Sequence, residues 1–224
     1  MTTAQRPLVI AFDVVETLFP LEPLRPRFRE AGLPEATVRH WFDRMLRDGF
    51  ALAAAGGYRS FPDLATDVLR EISGHQVPHA TAVELVAAIA TLDPRPDAEP
   101  ALRRASAAGR AITITNGTAT TTDTLLRRGG LREHVERVVS VEEVGRWKPA
   151  PDVYHHAATT CGVASDRMAL VAAHGWDIHG AHRAGWVTGW SRHLEGEFSA
   201  AFAAADVTGS GLEEVVDALL ALTE

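Results

Sequence analysis

Residues 11–18 read A-F-D-V-V-E-T-L, and this stretch decides the fold. An apolar run from Leu8 to Phe12 delivers Asp13 into a turn, and Thr17 comes four positions later. A buried strand ending in a carboxylate places that group at the C-terminal edge of its sheet, where open α/β sheets bind ligands. Held there, a carboxylate can attack a substrate and form a covalent intermediate. An aspartate after a hydrophobic strand also serves as a turn residue or a helix N-cap. The rest of the chain decides between these roles.

From about Pro20 to Ala90 the apolar residues recur at helical spacing. Val38, Trp41, Phe42, Met45 and Leu46 form one set. Phe61, Leu64, Val68, Leu69 and Ile72 form a second, and Val83, Leu85, Val86, Ile89 and Leu92 a third. Gly56 and Gly57 break the helix between the first two, and the proline-rich, acidic segment 93–100 (D-P-R-P-D-A-E-P) reads as a boundary. Beyond it the chain alternates. Helices are expected over Ala101–Ala108, Thr120–Arg128, Asp152–Cys161, Ile178–Ala184 and Leu212–Leu222, with strands over Ala111–Thr115, Val135–Val139, Ala169–Ala172 and Val187–Trp190. Strands alternating with helices imply a parallel sheet with right-handed crossovers. The expected organisation is an α/β core, residues 1–19 and 95–224, interrupted after its first strand by a helical unit at 20–94.

Three later segments carry chemistry. In I-T-I-T-N-G-T (112–118), a strand ends in Thr115, Asn116 and Gly117, which offer a hydroxyl, an amide and a permissive backbone for holding an anion. The same residues suit a turn and N-cap. In G-R-W-K-P-A-P-D-V-Y (145–154), Lys148 lies in a proline-flanked loop that restricts its aim. Most lysines are solvated surface residues, and a held one neutralises a negatively charged pair. In L-V-A-A-H-G-W-D-I-H-G-A (170–181), Asp177 is an N-cap or a catalytic carboxylate. His174 and His179 flank it without a zinc-like spacing. Asp13, Thr115, Lys148 and Asp177 would all lie at one edge of one sheet.

Composition limits the alternatives. The 224 residues suit one α/β domain or one carrying an insertion, with 46% hydrophobic and 23% charged residues. A net charge of −7 without a Lys/Arg run disfavours a nucleic-acid partner. The single cysteine, Cys161, leaves no internal disulfide and no cysteine-based zinc cluster, and fits a reducing compartment. Residues 1–7 lack the apolar core of a signal peptide, and no apolar run is long enough to span a bilayer. The expectation is a cytoplasmic globular protein with no membrane partner.

The ordered motifs resemble the haloacid dehalogenase (HAD) superfamily over nearly the whole chain. The resemblance implies a Rossmann-like core with an inserted helical cap domain, Asp13 as nucleophile, Thr115 as second-motif hydroxyl, Lys148 as third-motif lysine and Asp177 as last acid of the fourth motif. Most members are magnesium-dependent phosphatases with an acid two residues after the nucleophile and another where Ala173 stands. Val15 cannot protonate a leaving group, and without the second acid a hard dication loses a ligand. F-D-V-V-E-T-L-F is similar to the F-D-A-Y-G-T-L-F of the metal-independent L-2-haloacid dehalogenases (type II). The Lys148–Tyr154 spacing and A-A-H-G-W-D also resemble that branch. This implies displacement of halide by Asp13 from the α-carbon of a small-molecule substrate, a short 2-haloalkanoic acid, with inversion, to give an ester, cleaved by water that Asp177 and Lys148 orient. Thr17, Thr115 and Asn116 would hold the substrate carboxylate or the nucleophile.

Tyr154, His174 and Arg44 join the expected site. A cap arginine of the branch falls at Phe42, with Arg44 and Arg47 nearby, and two of its fourth-motif polar groups become Ala172 and His174. The implied enzyme uses no metal or other cofactor and is a homodimer. Trp147 and Trp176 are expected as pocket walls. The competing functions are an atypical phosphatase and a non-catalytic ligand-binding protein of the same fold.

Overall fold

A computed structural model describes residues 5–223; the outermost positions assigned to the core, 1–4 and 224, lie outside them. Six strands form one parallel sheet: β1 (Val9–Phe12), β2 (Arg110–Thr115), β3 (Arg137–Ser140), β4 (Met168–Ala172), β5 (Val187–Ser191) and β6 (Val207–Gly209). Their spatial order is β3-β2-β1-β4-β5-β6. The chain therefore winds outward in one direction through β2 and β3, then returns to β1's other side with β4 and winds the opposite way. The crevice at this reversal, beside the C-terminal ends of β1 and β4, is the natural ligand position of such a sheet.

β1 and β4 are buried along their whole length, which accounts for their unbroken apolar composition. Strand alternation sends Ile10 and Phe12 to one face and Val9 and Ala11 to the other. The second face packs under α7 (Pro151–Cys161) and α8 (Gly175–Arg183). The first face packs under α5 (Ala98–Ala108) and α9 (Leu212–Leu220), and its apolar cluster runs on into the helices between β1 and α5. These are α1 (Arg25–Glu30), α2 (Thr37–Ala54), α3 (Phe61–Ile72) and α4 (His79–Ala87). Ser60 caps α3 by accepting the Asp63 amide, and Trp41 Nε1 on α2 donates to Ala65 O on α3 at 2.8 Å.

The expected elements are present, with shifted ends. α5 starts at Ala98, so Pro100 occupies a first turn where its missing N–H costs nothing. The segment 93–97 is a short, tied connection: Arg95 N donates to Leu18 O, and Asp97 accepts from Leu212 N. The Ala-rich stretch after Gly49 continues α2 to Ala54 before Gly56 turns the chain with φ +80°. β6 and α1 are not among the elements expected from the sequence. β6 has three residues, one of them exposed, too short for an alternation to register. α6 (Ala119–Arg128) is capped by Thr118. No helix among the described residues is long and apolar enough to cross a membrane.

α8, which carries Asp177, lies against the loop that carries Lys148. A Cβ on Gly180 would come 2.6 Å from Pro149 Cβ and 2.6 Å from Tyr154 Oη, closer than any real contact. Gly180→Ala is expected to cost about 1–3 kcal/mol of unfolding free energy through overpacking. Urea denaturation measures it; an unchanged midpoint would refute this close approach.

Candidate active site

Four sheet-edge segments converge. Asp13 leaves β1, Thr115 and Asn116 end β2, Lys148 comes after β3, and Asp177 sits in the first turn of α8 after β4. Lys148 is fully buried, a state a lysine reaches only with full pairing. Its Nζ donates to Asp13 Oδ1 at 2.9 Å, Asp177 Oδ2 at 2.6 Å and Ile114 O at 3.0 Å, so all three ammonium protons are used. Asn116 Oδ1 accepts the Lys148 backbone N–H at 2.8 Å and fixes the loop from below. The Lys148–Pro149 peptide is cis.

Asp13 takes its other donor from Thr17, whose Oγ1 lies 2.6 Å from Oδ2. Thr17 in turn accepts the Ala173 amide at 3.0 Å, tying the first and fourth segments together. His174 Nδ1 lies 3.4 Å from the same Asp13 Oδ2, at ion-pair distance but without hydrogen-bond geometry, and has no other partner among the described residues. Asp177 Oδ1 accepts from Tyr154 Oη at 2.5 Å. Thr115 Oγ1 accepts the Gly117 amide at 2.9 Å and so shapes the turn after β2.

The charges set one another. Burial pushes the Asp13 carboxyl up, but Lys148, His174 and the Thr17 hydroxyl outweigh it and hold the group well below the usual carboxylate range. Burial lowers Lys148 and His174, yet their carboxylate neighbours reverse this and raise both. Asp177 ends above its ordinary value because burial and the like charge of Asp13 exceed the pull of Lys148. Burial and the adjacent Asp177 carboxylate raise the Tyr154 phenol strongly, so it remains a donor.

A space of about 10 Å³, the room of a single water, adjoins Asp13. Its walls include Val15, Phe42, Phe61, His174 and Trp176, with Thr115 and Asn116. Lys148, Asp177 and Tyr154 lie behind Asp13 and do not line it. The helices between β1 and α5 thus contribute aromatic walls to this space: Phe61, which no motif marked, opens α3, and Phe42 lies on the inward face of α2.

Arg44 is not brought to the site. It pairs with Asp48 at 3.1 Å and Glu71 at 3.4 Å, because its place on α2 aims it along that helix and toward α3, while Phe42 points inward. No arginine among the described residues lines the space beside Asp13. Trp147 is likewise not a pocket wall. It is fully buried, stacks on Phe61 at 5.9 Å and donates to Arg59 O at 2.9 Å, locking the lysine loop to the helical segment. Asp177 is no N-cap, since that position belongs to His174. His179 Nδ1 accepts the Ala203 amide, a structural role.

Glu16 holds a left-handed conformation (φ +68°), a strain of about 1–2 kcal/mol for a residue with a Cβ. Its Oε1 accepts the Leu21 amide at 2.6 Å, and its carbonyl meets His193 Nε2 at 3.1 Å.

Comparison with known proteins gives a consistent picture. The family described as haloacid dehalogenase-like hydrolase matches residues 8–185. The (S)-2-haloacid dehalogenase H-109 of Pseudomonas putida is 29% identical over 187 residues, covering 81% of this chain and 84% of that protein. The glyceraldehyde 3-phosphate phosphatase of Methanopyrus kandleri is 32% identical over 193 residues, covering 80% and 81%. The L-2-haloacid dehalogenase of Xanthobacter autotrophicus, solved with chloropropionic acid covalently bound, superposes with a TM-score of 0.87 at 20% identity, covering 96% of this chain and 99% of that one.

Removing the ammonium tests the charge arrangement. In Lys148→Ala, two buried carboxylates lose the ammonium between them and only His174 remains to offset charge beside Asp13; the expected loss is about 3–5 kcal/mol at neutral pH. Burial and mutual repulsion then raise both folded-state pKa values above their unfolded ones. The penalty is therefore absent below the unfolded carboxylate pKa and appears as pH rises through the raised values. Urea denaturation of the variant at neutral pH and near about pH 4 checks the sign. A loss that stays constant or grows toward acid would refute the arrangement.

Proposed function

Because this chain belongs to the haloacid dehalogenase-like hydrolases, we propose that it is a metal-independent hydrolase of the (S)-2-haloacid dehalogenase type, cleaving 2-haloalkanoic acids through an aspartyl ester. The supporting observation is Asp13: an ionised carboxylate held by Lys148 and Thr17 beside an enclosed space, with Val15 where a leaving-group acid would stand. An Asp13 oxygen attacks the halogen-bearing carbon, the carbon–halogen bond breaks, and halide departs with the electron pair. Halide needs no proton, so Val15 is compatible with the step. Water then attacks the ester carbonyl, the carbonyl–oxygen bond breaks, and the alkoxide takes a proton to leave as a 2-hydroxy acid.

The donor set disfavours the phosphatase reading that the Methanopyrus relative raises. A dication would have to share Asp13 and Asp177 with the Lys148 ammonium, and Ala173 supplies no ligand.

Asp177 and Lys148 position the nucleophile from behind, since both are fully buried and their polar atoms are already paired. His174 is the group facing the water-sized space. As a cation beside Asp13 it draws in the substrate carboxylate, a role left vacant by Phe42. Once Asp13 is esterified, His174 loses part of its counter-charge and gives its proton to solvent; the neutral imidazole then takes a proton from the attacking water and returns it to the departing alkoxide. Residues 20–94 act as the cap, and the enzyme is a cytoplasmic homodimer by analogy with the type II branch. Sedimentation equilibrium checks the last point, and a monomer mass would overturn it.

Halide release from (S)-2-chloropropionate without added metal is expected for the wild type and lost by at least about 10³-fold in Asp13→Asn. After turnover in heavy-oxygen water, the wild-type peptide containing Asp13 should carry the label, since water attacks the enzyme's carbonyl. Release that persists in Asp13→Asn, or magnesium-dependent hydrolysis of p-nitrophenyl phosphate with no halide release, would overturn the proposal.

The His174 role has its own signature. Its raised folded pKa keeps the cation present above the ordinary histidine value, so kcat/KM should fall only as pH rises through that raised value. In His174→Asn the descending limb should vanish; a limb unchanged in the variant would assign His174 to packing alone.

A further inference from the structure

A second cavity, of about 370 Å³, lies between α3, α4 and α6. It shares Val15, Phe61, Thr115 and Gly117 with the one-water space at Asp13, so the two adjoin across the same four residues. Its walls are largely apolar (Val86, Ile89 and Leu125 among them), and its outer part carries the Arg59–Asp67 ion pair at 2.8 Å. A partly open cleft of several hundred cubic ångströms, with apolar side chains beside threonines, Asp63 and His79, has the size of a small-molecule site.

The space at Asp13 admits little beyond the reacting atoms, and the adjoining cavity is far larger than a methyl substituent needs. We propose, resting on the dehalogenase function, that this cavity receives the substrate's chain beyond the reacting carbon, making the preferred substrates 2-haloalkanoates with a medium-length apolar chain. Val15 then has a positive role. At the junction it gives the chain an apolar threshold, where a carboxylate would have to be desolvated each time a chain passed. The Thr115 and Gly117 turn lines both spaces as well, its backbone fixed by the Thr115 hydroxyl.

The test is bromide release across a straight-chain series from 2-bromopropionate to 2-bromooctanoate, comparing wild type, Val86→Phe and Val86→Ala. Burial of each added methylene is worth about fourfold, so wild-type kcat/KM should climb by at least about tenfold across the series. The octanoate-to-propionate ratio should fall by about tenfold or more in Val86→Phe, which fills the cavity, and should hold or rise in Val86→Ala. A flat or declining wild-type series, or a ratio unmoved by both variants, would overturn the chain-binding assignment while leaving the dehalogenase reading in place. No bromide from any member, the shortest included, would overturn the dehalogenase reading itself.

Discussion

A single buried ammonium organises the site. Lys148 Nζ sits between two carboxylates from opposite arms of the sheet, one after β1 and one after β4, and its third proton goes to the end of β2. Stripping the ammonium of water is compensated only because all three protons find acceptors at short range. The arrangement needs a stiff lysine loop, and the sequence supplies it with Pro149 and Pro151, the Asn116 clamp on the Lys148 amide, and Trp147 locked under Phe61. The same loop that places the charge therefore also fixes the helical segment above it.

Much of the fold was legible because parallel strands buried on both faces have to be apolar, and the helices between them have to be amphipathic. β1, β2, β4 and β5 stand out for that reason. β6 did not, because three residues with one face open to water leave no pattern. The convergence of Asp13, Thr115, Lys148 and Asp177 was legible too, since topology alone brings strand ends to one edge. Details that depend on side-chain aim were not. Arg44 and Phe42 are two positions apart on one helix, and only packing decides which turns inward. Trp147 and Trp176 both flank motif residues, yet only Trp176 reaches the pocket. The left-handed turn at Glu16 was equally hidden: it occupies a position where the resembled motif carries glycine, and the strain is held by the Leu21 amide and His193.

Two of the departures from the type II pattern, Phe42 and His174, meet in space with Val15, the departure from the phosphatase pattern. Val15, Phe42 and His174 all line the small space beside Asp13, so they are neighbours rather than scattered changes. Phe42 lies 6.2 Å from the His174 ring, and Trp176 lies 5.2 Å from it, so the imidazole is packed between two aromatic groups. That packing holds its ring, while Asp13, Asp177 and Glu16 favour its charged form against burial.

An arginine at this place would carry a permanent charge and five donors. An imidazole carries a charge that depends on Asp13 itself. The Asp13 carboxylate favours the cation together with Asp177 and Glu16, and in the proposed reaction the Asp13 share of that support is withdrawn when its carboxylate becomes an ester. With Phe42 at the place of the cap arginine and His174 facing the same space, the proposed reaction has, in place of a constant anion clamp, one coupled to the charge of Asp13. The loss of fixed binding energy for the substrate's carboxylate must be met elsewhere, and apolar surface around the rest of the substrate is the remaining source. The aromatic lid and the adjoining cavity supply that surface, which makes the polar substitution at position 174 and the apolar ones at 15 and 42 parts of one change in how the substrate is held.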